Sequence, residues 1–215
     1  MAHPFDVQNM VTTDGLIPGH DLAVGHANDR FIAGYAAIPP SRFYGAMERW
    51  QASSPAHTLG EYTFIDFGCG KGRAALLASE LGFREVVGVE LNTKLAEIAQ
   101  TNVTKWNTQG KAKSPIRIVC GDALELEWPA GPCLVYLYNP FAEPVMRRLA
   151  NKMKMHFGTN PTNLEIVYQK PEHAEVFQND FQMVWCEVIP MSEDDRHAEF
   201  VASPTDESRA YRLSI

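Results

Sequence analysis

Short apolar runs alternate with longer helix-forming stretches through the middle of this 215-residue chain. Residues 62–65, 85–90, 115–120, 132–138 and 163–169 are rich in Val, Ile, Phe, Tyr and Leu. At that length and composition they read as buried strands. Between them, residues 71–82, 92–108, 143–156 and 171–178 carry helix formers at helical spacing,. Strand and helix in strict alternation predict a parallel sheet covered by helices on both faces. After Phe181 the pattern changes. Residues 183–189 and 209–215 read as two strands with no helix between them, which predicts an antiparallel hairpin,. Upstream, residues 1–34 look irregular, with turn residues at 12–15 and 17–19,. A helix is expected to start near Ser41, which follows Pro39-Pro40 and can cap it, with Phe43, Met47 and Trp50 on one face,. The expected fold is a three-layer α/β sandwich: a seven-stranded, mainly parallel sheet ending in an antiparallel hairpin. Residues 59–215 form its globular unit, and an N-terminal segment and helix (1–58) lie over the site described below.

Composition narrows the possibilities. Apolar residues make up 45% and charged residues 21%, ordinary for a globular protein,. No run of 18 apolar residues exists, so no membrane span is expected,. The first residues have neither a basic nor an apolar leader region, which points to the cytoplasm,. Cys69, Cys120, Cys133 and Cys186 show no Cys-x-x-Cys pairing, so buried reduced thiols are expected and a metal site is not,. A net charge of −7 argues against nonspecific nucleic-acid binding,. The one basic stretch, Arg147, Arg148, Lys152, Lys154 and His156, spreads around a helix rather than forming a stripe,.

Candidate chemistry lies where the first strand meets the first helix of the alternation. Asp66-Phe67-Gly68-Cys69-Gly70-Lys71-Gly72 places glycines at alternate positions after an acid. Glycine there lets a ligand approach the backbone, and a following helix N-terminus favours an anionic group. The dinucleotide fingerprint fails, because Arg73 stands where its third glycine belongs, and Lys71 lacks the spacing of a phosphate loop,. Two more acids end strands. Glu90 lies 24 residues after Asp66, placed to accept ribose hydroxyls. Asp122 follows the third strand within Gly121-Asp122-Ala123. Ligands of open α/β sheets bind at this carboxyl edge.

These residues resemble motif I and its companions in the class I S-adenosylmethionine (SAM)-dependent methyltransferases. The likeness runs from about Phe5 to the end, and is closest to a bacterial group of that family. It implies a Rossmann-like sheet of order 3-2-1-4-5-7-6 with the seventh strand reversed. It implies SAM as cofactor and S-adenosylhomocysteine as product, held by Asp66, Gly68, Cys69, Gly70, Glu90, Asp122, Ala123 and Asn139, with Asp122 at the adenine amino group. Asn139-Pro140-Phe141, after the fourth strand, is similar to the Asn-Pro-Pro-Tyr motif of enzymes that methylate amide or amino nitrogens, one proline short. Residues 35–41 are similar to a segment that folds over the methionine part of the donor in seven-strand protein-lysine methyltransferases. Asn139 and Tyr35 are therefore the candidate catalytic residues. The acceptor stays open: a protein amine, a small-molecule amine or a hydroxyl metabolite. So do the oligomeric state and two other classes, a SAM-binding module without turnover and an NAD-linked oxidoreductase. Residues 192–199 form either an exposed hairpin loop or an acidic lip that attracts a cationic amine. His173 is either a surface cap or a base facing the cleft.

Overall fold

The structure is a computed structural model that describes residues 3–198 and 202–214. Seven strands form one sheet in the order β3-β2-β1-β4-β5-β7-β6. They are β1 (Thr63–Phe67), β2 (Glu85–Glu90), β3 (Ile116–Cys120), β4 (Cys133–Tyr138), β5 (Leu164–Gln169), β6 (Phe181–Val188) and β7 (Glu207–Leu213). Strands β1 to β5 pair in parallel, and β7 runs antiparallel to both β5 and β6. This is the expected order. The central strand β1 is buried along its whole length, which is why it reads as an unbroken apolar run up to Asp66,.

Side-chain alternation sorts the sheet's two faces. Phe64, Val86, Leu134, Tyr136 and Val167 meet α2 (Pro40–Ala52) and α3 (Arg73–Ser79) on one face. Farther along that face, α4 (Thr93–Thr108) packs Val103 and Trp106 on Leu76. Ile65, Phe67, Val87, Val135 and Ile166 meet α5 (Glu143–Phe157) on the other. Helix α2 belongs to the core itself: Phe43, Met47 and Trp50 are buried, and Phe43 lies edge-on to Phe64 and Tyr136.

Several expectations are corrected. Residues 3–34 are not wholly irregular: α1 (Pro4–Asn9) is a short helix, capped by His3 Nδ1, which accepts from Phe5 N–H at 3.1 Å. Two 3-10 turns, Gly19–Leu22 and Asp29–Phe31, follow. The helix expected over 171–178 shrinks to a 3-10 turn at Ala174–Phe177. Lys170 is left-handed there, and its N–H pairs with Glu207 O of β7. The helix expected over 71–82 is Arg73–Ser79, bracketed by left-handed Gly72 and Gly82. Ser41 is not the cap of α2. It sits inside the first turn, where its N–H and hydroxyl both donate to Asp195. Asp195 lies on α6 (Glu193–Ala198), a short helix between β6 and β7 where none was expected. Cys69 and Cys133 are buried, but Cys120 and Cys186 are exposed because β3 and β6 are the sheet's edges. Glu199 and Ile215 lie outside the described residues.

Candidate functional site

At the carboxyl edge of β1 to β4 lies a cleft with about 890 Å³ of space between its walls, open solvent at its mouth included. All the residues assigned to donor binding or catalysis from the sequence line it. Its roof is the chain from Leu22 to Ile38, stitched down at several points. Ile17 and Tyr35 form an antiparallel bridge, as do Ile32 and Phe141. Ala33 N–H donates to Pro140 O at 3.2 Å, and Asn92 Nδ2 donates to Leu22 O at 2.9 Å.

The glycine turn is left-handed at Gly68, Gly70 and Gly72. A Cβ on Gly68 would stand 2.7 Å from Pro140 Cβ, and one on Gly70 would run into the Tyr35 ring. The turn thus needs glycine for close packing of both the Asn139-Pro140 loop and the roof. Tyr35 packs its ring there, with Lys71 Nζ 5.0 Å from the ring centre. Its hydroxyl donates to Thr13 O, and burial pushes its pKa up. That hydroxyl is turned to the backbone of the segment that precedes the roof.

The carboxylates are arranged in order. Glu90 is buried, and its Oε2 and Oε1 accept from Gly70 N–H and Asn92 N–H, each at 2.8 Å. Burial raises its pKa, and these backbone donors oppose the rise. Asp66, 3% exposed, is pushed up to about 8 by burial and then by Glu90. Asp122 caps the 3-10 turn Ala123–Glu125, Oδ1 accepting from Leu124 N–H at 2.9 Å. Its Oδ2 accepts from Asn28 Nδ2 at 2.8 Å, with His26 Nε2 3.9 Å away. Burial also raises the Cys69 thiol. Asn139 follows β4 in a left-handed conformation (φ 42°), and its Oδ1 accepts from the Tyr168 hydroxyl at 3.2 Å.

Two candidates stand apart from the cleft. His173 precedes the 174–177 turn with Nδ1 3.7 Å from Glu175. The acidic stretch, described over 192–198, is mostly helical, and its buried member Asp195 faces Ser41 and His3. The basic residues of α5 are engaged locally: Arg147 pairs with Glu143, Lys154 with Asp180, and Arg148 donates to Asn28 Oδ1 at 3.3 Å. Three residues escape sequence reasoning. Asn28 comes from a stretch with no periodicity. Tyr136 and Tyr168 sit inside apolar strand runs, where an aromatic reads as core. Among the described residues no group of three or more His, Cys, Asp or Glu side chains gathers as a metal site, and no helix is long and apolar enough to cross a membrane.

Residues 64–153 match a family profile described as "Methyltransferase domain". The chain is 27% identical over 138 residues to a ribosomal protein L11 methyltransferase of Colwellia psychrerythraea. That alignment covers 62% of this chain and 42% of the relative, so it spans less than half of the relative's length. Among solved structures, an RNA methyltransferase from Salinibacter ruber in complex with S-adenosylhomocysteine is similar at 14% identity and TM-score 0.50, covering 83% of this chain and 94% of that one. A tRNA methyltransferase from Aquifex aeolicus is similar at 17% identity and TM-score 0.52, covering 83% and 70%. At such identities the structural likeness establishes the fold.

Proposed function

We propose that this chain, which has the fold and the central domain of a class I SAM-dependent methyltransferase, transfers a methyl group from SAM to an amine nitrogen of a protein or small molecule. One observation carries the reading: the carboxylates of β1, of β2 and of the turn after β3 line a single cleft together with Asn139, which follows β4. Left-handed glycines and carboxylates facing a partly apolar cleft suit a nucleoside that carries an ammonium group. When bound, SAM supplies an electrophilic methyl group on sulfur.

The chain's residues then divide the work. Glu90 accepts the ribose hydroxyls, exchanging its bonds to Gly70 and Asn92 in part for the ligand. Asp122 accepts the adenine amino group with Ala123 beside it, and Asn28 holds the carboxylate in place. The backbone of Gly68, Cys69 and Gly70 lies along the donor's amino-acid arm toward Asp66. Tyr35 acts as the wall over Gly70 rather than as a proton acceptor. Asn139 aligns the nucleophile. Its carbonyl, fixed by Tyr168, keeps a lone pair for an acceptor N–H. Alignment of this kind is worth roughly 7–11 kcal/mol. An amine must arrive neutral, against a free lysine pKa near ~10.4, and a water-poor cleft favours that form. The relative named for a ribosomal protein supports a search among protein acceptors first.

Two measurements test this. SAM and S-adenosylhomocysteine at about 100 times Kd should raise Tm by roughly 5–10 °C, and NAD should not. Transfer of labelled methyl groups into fractionated cell extract should place the label in protein or small amines. Binding without transfer to any fraction would reduce the chain to a binding module, and label in RNA would overturn the acceptor class.

A further inference from the structure

Tyr136 sits in β4, wholly buried, with a hydroxyl that has no hydrogen-bond partner among the described residues. Its ring is wedged against Phe43 and Phe64, ring centres 5.5 Å from each, so it has no freedom to swing toward a partner. A phenylalanine would fill the same place without leaving a buried hydroxyl unpaired, an arrangement that costs stability. Yet Tyr136 lines the cleft. In the parallel register it stands directly beside Asp66, on the same face of the sheet, while Gly88 flanks Asp66 on the other side. Asp66 therefore has one polar neighbour across the strands, and that neighbour's hydrogen-bonding capacity is unspent.

We propose that Tyr136 and Asp66 form a two-point site for the α-ammonium group of the donor's amino-acid arm. The inference rests on the methyltransferase reading above and deepens it. Asp66 supplies the negative charge. The Tyr136 hydroxyl supplies a lone pair to the ammonium, so that its oxygen is satisfied only when a cation lies between it and the carboxylate,. The position fits. Glu90 and Asp122 lie toward β3, where the nucleoside is assigned. Tyr136 lies across β1 from them, set back from the strand's end.

The test is Tyr136→Phe, read by calorimetry with two ligands: S-adenosylhomocysteine, which has the amino-acid arm, and methylthioadenosine, which lacks it. The variant should bind S-adenosylhomocysteine roughly tenfold more weakly, the worth of one charge-assisted hydrogen bond. Methylthioadenosine affinity should stay within about twofold, and the ligand-free Tm should hold or rise. Equal losses for the two ligands, or a fallen Tm, would make Tyr136 a packing residue and overturn the proposal. Unchanged affinity for both would do the same. If the wild-type protein binds neither ligand, the methyltransferase reading itself fails, a result distinct from either.

Discussion

A left-handed backbone costs an L-residue roughly 1–2 kcal/mol, and the cleft uses this conformation at both Gly70 and Asn139,. At Gly70 it comes with an aromatic ring against the space a side chain would need. Gly70→Val should therefore lose S-adenosylhomocysteine binding by calorimetry and lower Tm as well. The valine meets Tyr35 before it meets any ligand, so a fully stable, merely ligand-blind variant would contradict this packing. Asn139 is the other case, left-handed without being glycine. Asn139→Gly keeps the backbone shape and removes only the amide. It should keep donor affinity and lower turnover by roughly 10²-fold, the scale of a misaligned nucleophile. Normal turnover in that variant would make Asn139-Pro140-Phe141 a plain turn. Glu90→Ala should weaken donor binding by roughly 1–3 kcal/mol. Asp66, Glu90 and Asp122 were legible in the sequence because each acid closes or follows a recognisable strand. Tyr136 was not, because hydrogen-bond satisfaction leaves no trace in hydrophobic patterning.

Elements stabilised by their own periodicity were equally legible: β2 and α5 begin where their patterns begin. Elements held by distant contacts were not. Helix α1 has six residues, too few to persist alone, and is fixed from outside,. Asp6 accepts from the N–H groups of Thr13 and Asp14 and from the Thr13 hydroxyl, and Arg73 Nη2 lies 3.6 Å from it. Arg73 in turn donates to Thr13 Oγ1 at 2.7 Å and to Ile38 O at 3.3 Å. This explains the departure from a third glycine: the arginine ties the roof to the first residue of α3. Asp6→Ala leaves those buried donors and the guanidinium without their carboxylate. It should cost roughly 3 kcal/mol or more and lower Tm by about 6–12 °C. The same variant should speed release of S-adenosylhomocysteine in stopped-flow measurements, because Thr13 O anchors the Tyr35 hydroxyl. A Tm within about 1 °C of wild type would show that the N-terminal segment is not held this way.

For the molecule as a whole, the cluster of acids at one sheet edge sets a conflict between stability and binding that pH exposes. Burial and Glu90 raise Asp66 from 3.8 to about 8, and burial raises Glu90 in the same direction. A carboxyl whose folded pKa exceeds its unfolded value binds more protons in the folded state. Its contribution to stability is then full below the unfolded value and is lost as pH rises toward the folded one. Stability of the ligand-free protein should accordingly decline between about pH 4 and pH 8, and Asp66→Asn, which stays neutral, should flatten much of that decline in denaturant melts. Donor binding should run the opposite way. If Asp66 must be ionised to hold the ammonium, affinity for S-adenosylhomocysteine should rise by up to roughly tenfold per pH unit from about pH 6 to about pH 8 and then level. Methylthioadenosine, with no ammonium, should show no such rise. Each mole of S-adenosylhomocysteine bound near pH 7 should release close to one proton, measurable as a dependence of the calorimetric enthalpy on the buffer's ionisation heat. A flat affinity profile with no proton release would mean that Asp66 is already ionised in the free protein, and the decline of stability between about pH 4 and pH 8 should then be absent as well.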